Sequence, residues 1–184
     1  MIKPFKLNVS ESILEEINIK IKNYPWHEMP EDGGWSYGAN LDYMKEISNY
    51  WVTKFNWKKY EDKINKFSNF KTNVDGIEMH FIEEKGSGVN PTPLLITHGW
   101  PGSIIESLNI IEKLAHPEKF GGKEEDAFNV IVPSLPGFGF SGRPQRPMGP
   151  RKMAEILNKL MTKNLGYESY LAHGGDWGAT ISNW

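Results

Sequence analysis

The sequence predicts an α/β protein. A mainly helical region, residues 1–69, is expected to precede a mostly parallel sheet with helices on its faces, residues 70–184. Three observations carry this. Before about residue 68, apolar residues recur at three- and four-residue steps, the period of a helix. After it, short apolar runs alternate with amphipathic stretches, the order that builds a parallel sheet. Three Gly-rich segments, 98–102, 136–142 and 174–178, each follow one of those runs. In such sheets chemistry collects at the carboxyl ends of the strands.

The elements follow in order. Ser10 can cap a helix with Ile13, Ile17 and Ile21 on one stripe, and Pro25 ends that element. Residues 30–38 read as loop. Asn40 can cap a second helix carrying Leu41, Met44, Ile47, Trp51 and Phe55. Residues 70–74 and 77–84 read as strands around Asp75-Gly76, a dipeptide favoured in two-residue hairpin turns. Residues 93–97 form a short apolar strand. Ser103 and Glu106 make a capping box for a helix with Ile104, Leu108, Ile111 and Ala115 on its inner side. Another strand spans 128–132. Pro150 suits the first turn of a helix bearing Met153, Ile156, Leu157, Leu160 and Met161, with Gly166 placed to stop it. A last strand, 170–173, leads into a helix after Asp176.

Composition narrows the function classes. The chain has 184 residues, 39% apolar and 24% charged, ordinary for a globular protein. Its net charge of −2, with basic residues spread along the chain, gives no sign of a nucleic-acid or anionic-membrane partner. The absence of Cys excludes disulfides, thiolate catalysis and Cys-based metal sites. No apolar run approaches the roughly 20 residues needed to cross a bilayer, and the N-terminus lacks the apolar core of a secretory signal. A soluble, cytoplasmic location is therefore expected. No His-x-x-x-His or similar spacing occurs, so neither a metal nor a cofactor is expected.

The chemistry centres on Gly174-Gly175-Asp176-Trp177-Gly178, which matches the G-x-S-x-G nucleophile elbow with Asp in place of Ser. A carboxylate is already ionised at neutral pH, with a reference pKa of about 3.9. It can attack a strained or activated alkyl carbon without a base, forming an ester that water then cleaves. The blander alternative is that Asp176 caps the following helix. Its place between a strand and a helix, together with the second motif, favours the nucleophile.

That second motif is Thr97-His98-Gly99-Trp100-Pro101-Gly102-Ser103. A Gly-rich loop at a helix N-terminus presents backbone N–H groups, which suits an oxyanion hole. The donors would be the N–H groups of Trp100 and Trp177. Pro101 cannot donate and would fix the loop. His98 precedes the nucleophile, whereas the order in this motif class is nucleophile, acid, histidine, so it reads as a loop strut beside Gly99. His173 and His80 read as strand residues, His116 as a helix-end residue, and His27 lies in a polar loop.

The sequence resembles the epoxide hydrolase family, in the branch that includes the microsomal and juvenile-hormone enzymes. The resemblance rests on the His98–Ser103 motif, on Pro133-Ser134-Leu135-Pro136-Gly137-Phe138-Gly139-Phe140-Ser141, and on Gly174 to Ala179. It extends to Trp35-Ser36-Tyr37-Gly38, Tyr50-Trp51, Phe55-Asn56-Trp57, Asn65-Lys66-Phe67 and the run from Asp75 to Phe81, and so covers essentially the whole chain. It implies an α/β-hydrolase fold, incomplete here, and a small apolar epoxide as substrate with water as co-substrate. Asp176 would attack an epoxide carbon. Two lid tyrosines would donate to the leaving oxygen. A histidine held by an acid would activate water, and a vicinal diol would be released. In the family those tyrosines, the acid and the histidine lie beyond the position of Trp184, so the chain is expected to be an N-terminal fragment, inactive by itself. The apolar leading helix of the family's membrane-anchored members is absent, and His173 stands where the family often has Gln.

Two other readings remain at this point. A haloalkane dehalogenase shares the Asp-Trp elbow but lacks an N-terminal region of this kind. A non-catalytic interaction module is a different class altogether, and the length of the reading frame would discriminate it.

Overall fold

The structure is a computed structural model that describes residues 1–28, 30 and 33–184. Of the loop expected at 30–38, Glu31 and Asp32 lie outside the described residues. The chain divides into two compact units, residues 7–62 and residues 1–6 with 63–184. The boundary expected from sequence is 69/70. It places residues 1–6 with the helices, whereas Lys3 and Pro4 pair with the sheet. A two-residue strand has no periodicity to read.

The unit 7–62 is helical. Helix α1 spans Glu11–Lys22, and the Ser10 hydroxyl accepts from the Ile13 N–H at its start. It stops before Pro25, whose ring cannot continue a helix. Helix α2 spans Leu41–Thr53, capped by Asn40 Oδ1 accepting the Tyr43 N–H at 3.0 Å. The two helices pack on each other. Helix α3, Trp57–Ile64, was not anticipated, because its stripe of Trp57, Tyr60 and Ile64 is only two turns long and is set among charged residues. Its Glu61 is buried and bound by the N–H of Val9 at 2.7 Å, by Trp57 Nε1 at 3.1 Å and by Lys58 Nζ at 3.1 Å.

The other unit is built on a six-stranded sheet. Its strands are β1 (Lys3–Pro4), β2 (Asn69–Val74), β3 (Ile77–Glu84), β4 (Thr92–Thr97), β5 (Phe128–Pro133) and β6 (Leu171–Gly174), in the order β1-β2-β3-β5-β4-β6. β1–β2, β2–β3 and β3–β5 pair antiparallel, whereas β4 is parallel to both β5 and β6, so the described sheet is mixed rather than mostly parallel. The β2–β3 turn has Asp75 at φ 51° and Gly76 at φ 84°, as a type I′ hairpin demands.

Helix α4, Leu108–Ala115, is preceded by a 3₁₀ turn, Ile104–Ser107, and the capping box of Ser103 and Glu106 sits on that turn. Helix α5, Pro150–Lys159, continues through a wider π-type turn, Leu160–Asn164. Met153, Ile156, Leu157, Leu160 and Met161 are all buried and form the core with Val74, Met79, Phe81, Leu95, Ile131 and Leu135. Helix α6, Trp177–Ser182, follows Asp176 and packs on α5, β4 and β6. Because β4, β5 and β6 are parallel, the loops after all three open at the same end of the sheet.

Candidate active site

Two loops at that end are brought together by the absence of side chains. A Cβ on Gly174 would lie 2.4 Å from the Gly178 carbonyl carbon and from Thr97 Oγ1. One on Gly178 would lie 2.3 Å from the Thr97 carbonyl oxygen. Only glycine allows strand and helix backbones this close, which is why the elbow motif flanks its central residue with small ones. The buried Thr97 hydroxyl lies within 3.2 Å of the carbonyl oxygens of both His173 and Gly178, joining β4 to the two arms of the turn. The sequence reading missed this role. A hydroxyl-bearing residue ending the strand before His98 was the available signal.

Between those glycines Asp176 has φ 52° and ψ −125°, a backbone conformation that L side chains rarely adopt. Holding it costs on the order of 1–3 kcal/mol, which the surrounding packing must offset. The side chain makes no cap hydrogen bond to α6. Instead Oδ1 accepts the Trp100 N–H at 2.7 Å, a length typical of a charge-assisted bond. The Trp100 N–H, and after it the Trp177 N–H, hold the Asp176 carboxyl below the usual carboxylate range. The two amides named from sequence as donors and the carboxylate named as nucleophile thus meet in one place. Asp176 is exposed, as are the indoles of Trp100 and Trp177 beside it.

The approach of the loop to Asp176 depends on Gly99. A Cβ there would lie 2.3 Å from Asp176 Oδ1 and 2.4 Å from Asp176 Cβ. His98 is buried, and both of its ring nitrogens are occupied. Nε2 accepts the Leu135 N–H at 3.2 Å, which leaves Nδ1 as the donor to the Gly99 carbonyl at 3.0 Å. Burial pushes its pKa down. The ring therefore ties the loop after β4 to the loop after β5, with no lone pair left to take a proton from water. Pro101 follows Trp100 through a cis peptide bond and leads to Gly102, against which the Glu106 carboxylate rests as it caps Ser103 N–H at 3.1 Å.

His80, His116 and His173 make no hydrogen bond to Asp176, Trp100 or Trp177 among the described residues. His80 is buried between Ser134 Oγ at 2.9 Å and Asn69 Oδ1 at 3.0 Å. His116 caps the end of α4, with Nε2 3.0 Å from Glu84 and Nδ1 2.7 Å from Ser87 Oγ. His173 lies on β6 with an exposed side chain. Among the described residues no group of three His, Asp or Glu side chains is placed to hold a metal ion, and no helix is long and apolar enough to cross a membrane.

Comparison with known proteins shows the family and the fold. The family model "Epoxide hydrolase N terminus" matches residues 2–107, and the model "alpha/beta hydrolase fold" matches residues 92–184. Epoxide hydrolase 1 of Sus scrofa is 37% identical over 185 residues, covering 98% of this chain and 40% of its own. Juvenile hormone epoxide hydrolase 1 of Ctenocephalides felis is 35% identical over 184 residues, with coverages of 98% and 39%. The crystal structure of juvenile hormone epoxide hydrolase from Bombyx mori superposes with a TM-score of 0.85 at 33% identity, covering 99% of this chain and 43% of that one. The chain thus spans about 40% of the length of the curated relatives it matches. With more than half of its residues matched by the N-terminal model and the rest by the hydrolase core, the chain belongs to the epoxide hydrolase family of microsomal and juvenile-hormone type.

Proposed function

We propose that the protein to which this chain belongs hydrolyses an epoxide to a vicinal diol through a covalent ester on Asp176. The observation that carries the reading is the short bond from the Trp100 N–H to Asp176 Oδ1. It seats Oδ1 against the Trp100 amide and leaves Oδ2 as the oxygen that attacks. Oδ2 forms a bond to an epoxide carbon, the ring C–O bond breaks, and the alkoxide takes a proton from an acidic donor. Oδ1 becomes the carbonyl oxygen of the new ester. When water adds to that carbonyl carbon, the negative charge develops on Oδ1, to which the Trp100 N–H already donates, with the Trp177 N–H as the second donor of this reading. As the intermediate collapses, one proton of that water passes to the departing oxygen and the other restores the acidic donor, which releases the diol and regenerates the carboxylate. A donor placed where charge develops is worth about 3–4 kcal/mol. The exposed indoles of Trp100 and Trp177 favour an apolar epoxide.

A single turnover in ¹⁸O-labelled water tests this. Label is expected in the Asp176 carboxylate after the first turnover and in the diol only after later ones. Solvent oxygen in the diol of the first turnover would mean direct attack by water and would sink the ester route.

A further inference from the structure

A second binding site emerges from where the arginines lie. The chain has 21 basic residues, yet only three are Arg, and all three fall in nine positions, Arg143, Arg146 and Arg151. The stretch around them carries no acid from Ala127 to Ala154, in a chain whose net charge is −2. Lysine serves as a point charge everywhere else. Arginine differs from it in offering a planar fork of donors that matches the oxygens of phosphate.

Arg143 and Arg146 line a cleft of about 390 Å³ between the β2–β3 turn and the loop leading to α5. That volume lies within the rough range of small-molecule sites, 300–1,000 Å³. Two other charged residues line it, and both are already paired. Asp75 is bound by Lys159, and Lys152 is bound by Glu155 at 2.6 Å. Among the described residues no carboxylate lies within ion-pair distance of Arg143 or Arg146, so the two guanidinium charges are uncompensated. Arg151 is otherwise engaged, 5.0 Å from the centroid of the Trp184 ring.

The loop is stiff. Arg143 and Arg146 each precede a proline, which confines them to extended backbone, and Pro144, Pro147 and Pro150 fix φ at every third position. Its start is anchored to the sheet by the Gly142 N–H on the Glu78 carbonyl at 2.7 Å. A preorganised loop loses little freedom on binding. We propose that this cleft binds a phosphate monoester group through Arg143 and Arg146, as a site separate from Asp176. The group belongs either to a soluble metabolite or to a phospholipid headgroup.

Isothermal titration of the whole protein with inorganic phosphate tests the site, at about pH 8, where inorganic phosphate is largely doubly charged. Saturable binding of one equivalent is expected. The double variant R143Q/R146Q should bind about tenfold or more weakly, and R143K/R146K should fall between, because lysine keeps the charge and loses the fork. K45Q/K54Q, which removes two charges that do not line the cleft, should bind as wild type. Thermal melting of each variant checks that the fold is intact. Phosphatidylcholine vesicles with and without phosphatidic acid then separate the sources. Competition between these vesicles and free phosphate identifies a headgroup, and phosphate binding without vesicle binding identifies a soluble ligand. The proposal is overturned by the absence of saturable phosphate binding, by equal losses in R143Q/R146Q and K45Q/K54Q, or by vesicle binding in a protein that ignores free phosphate.

Discussion

Helices α2 and α5 carry the same kind of sequence pattern and end in different surroundings. In α5 the apolar positions Met153, Ile156 and Leu157 are all 4% exposed or less. In α2 the corresponding positions Met44, Ile47 and Trp51 are 37%, 40% and 47% exposed. Periodicity states which face of a helix is apolar. It does not state what covers that face. α5 has a sheet beneath it and α6 beside it, and the approach of α6 to that sheet depends on the close packing at the elbow. The difference between the two helices is therefore a statement about the elbow as much as about either helix.

Breaking the elbow should be the most damaging change. Gly178→Ala forces a Cβ against the Thr97 carbonyl, and backbone cannot swing aside as a side chain can. A loss of about 3 kcal/mol or more is expected, at or beyond the upper end for overpacking. Denaturant unfolding followed by circular dichroism would measure it. A stability equal to wild type would mean that the glycines are not what sets the approach of α6 to β4. Gly99→Ala differs in kind. Its Cβ meets the Asp176 side chain, which can rotate away, so the fold should survive while the Trp100–Asp176 bond is lost. Under the proposed mechanism turnover should drop about 10²–10³-fold, the usual cost of one oxyanion donor.

Within α5, Leu157→Ala removes a side chain that is 1% exposed and leaves a cavity in the main core. About 2–5 kcal/mol is expected from the unfolding midpoint. A cost under about 1 kcal/mol would show that the core collapses around the gap and would remove half of the comparison.

The sheet beneath α5 also has a pH limit, set by His80. Burial, and secondarily the charge of Lys71, push its pKa down from 6.5 to about 3. The unfolded chain binds a proton near pH 6.5 that the folded protein refuses until about pH 3. Stability is thus complete above about pH 6.5 and declines as pH falls through that window, by up to about 1.4 kcal/mol per pH unit. Between pH 7 and pH 5 the loss is expected to be about 2 kcal/mol, read from denaturant midpoints. Burial of His98 adds to it in the same direction. His80→Gln should flatten the profile, and an unchanged profile in that variant would place the acid sensitivity elsewhere.

Most of the sheet and both partners of the Trp100–Asp176 bond were legible in the sequence, for a local reason. Strand, turn and helix periods span a few residues, and the elbow and the Gly99 loop each fit within six. What was not legible is non-local. Thr97 reaches Gly178 across 81 positions, and His80 reaches Ser134 across 54. β1 is set by pairing with Lys71 and Phe70, and its two residues carry no pattern of their own. The stripe on α5 and the stripe on α2 looked alike because burial is decided by partners distant in sequence.

The smallest expected effect bears directly on that likeness. Ile47→Ala in α2 removes apolar surface that is already in part open to water, so the lost burial is a fraction of that at Leu157. Alanine also favours the helix by up to about 0.5 kcal/mol over a β-branched residue, which offsets some of the loss. A net cost of about 1 kcal/mol or less is expected from the same unfolding measurement. The informative outcome is the opposite one. If Ile47→Ala costs as much as Leu157→Ala, the outer face of α2 is covered in solution. Its pattern would then have reported burial as faithfully as the pattern of α5 did. Repeating the measurement over a tenfold or greater range of protein concentration separates the two ways of covering it. A cost that grows with concentration means a second molecule lies on that face, whereas a constant cost means the cover belongs to the same molecule.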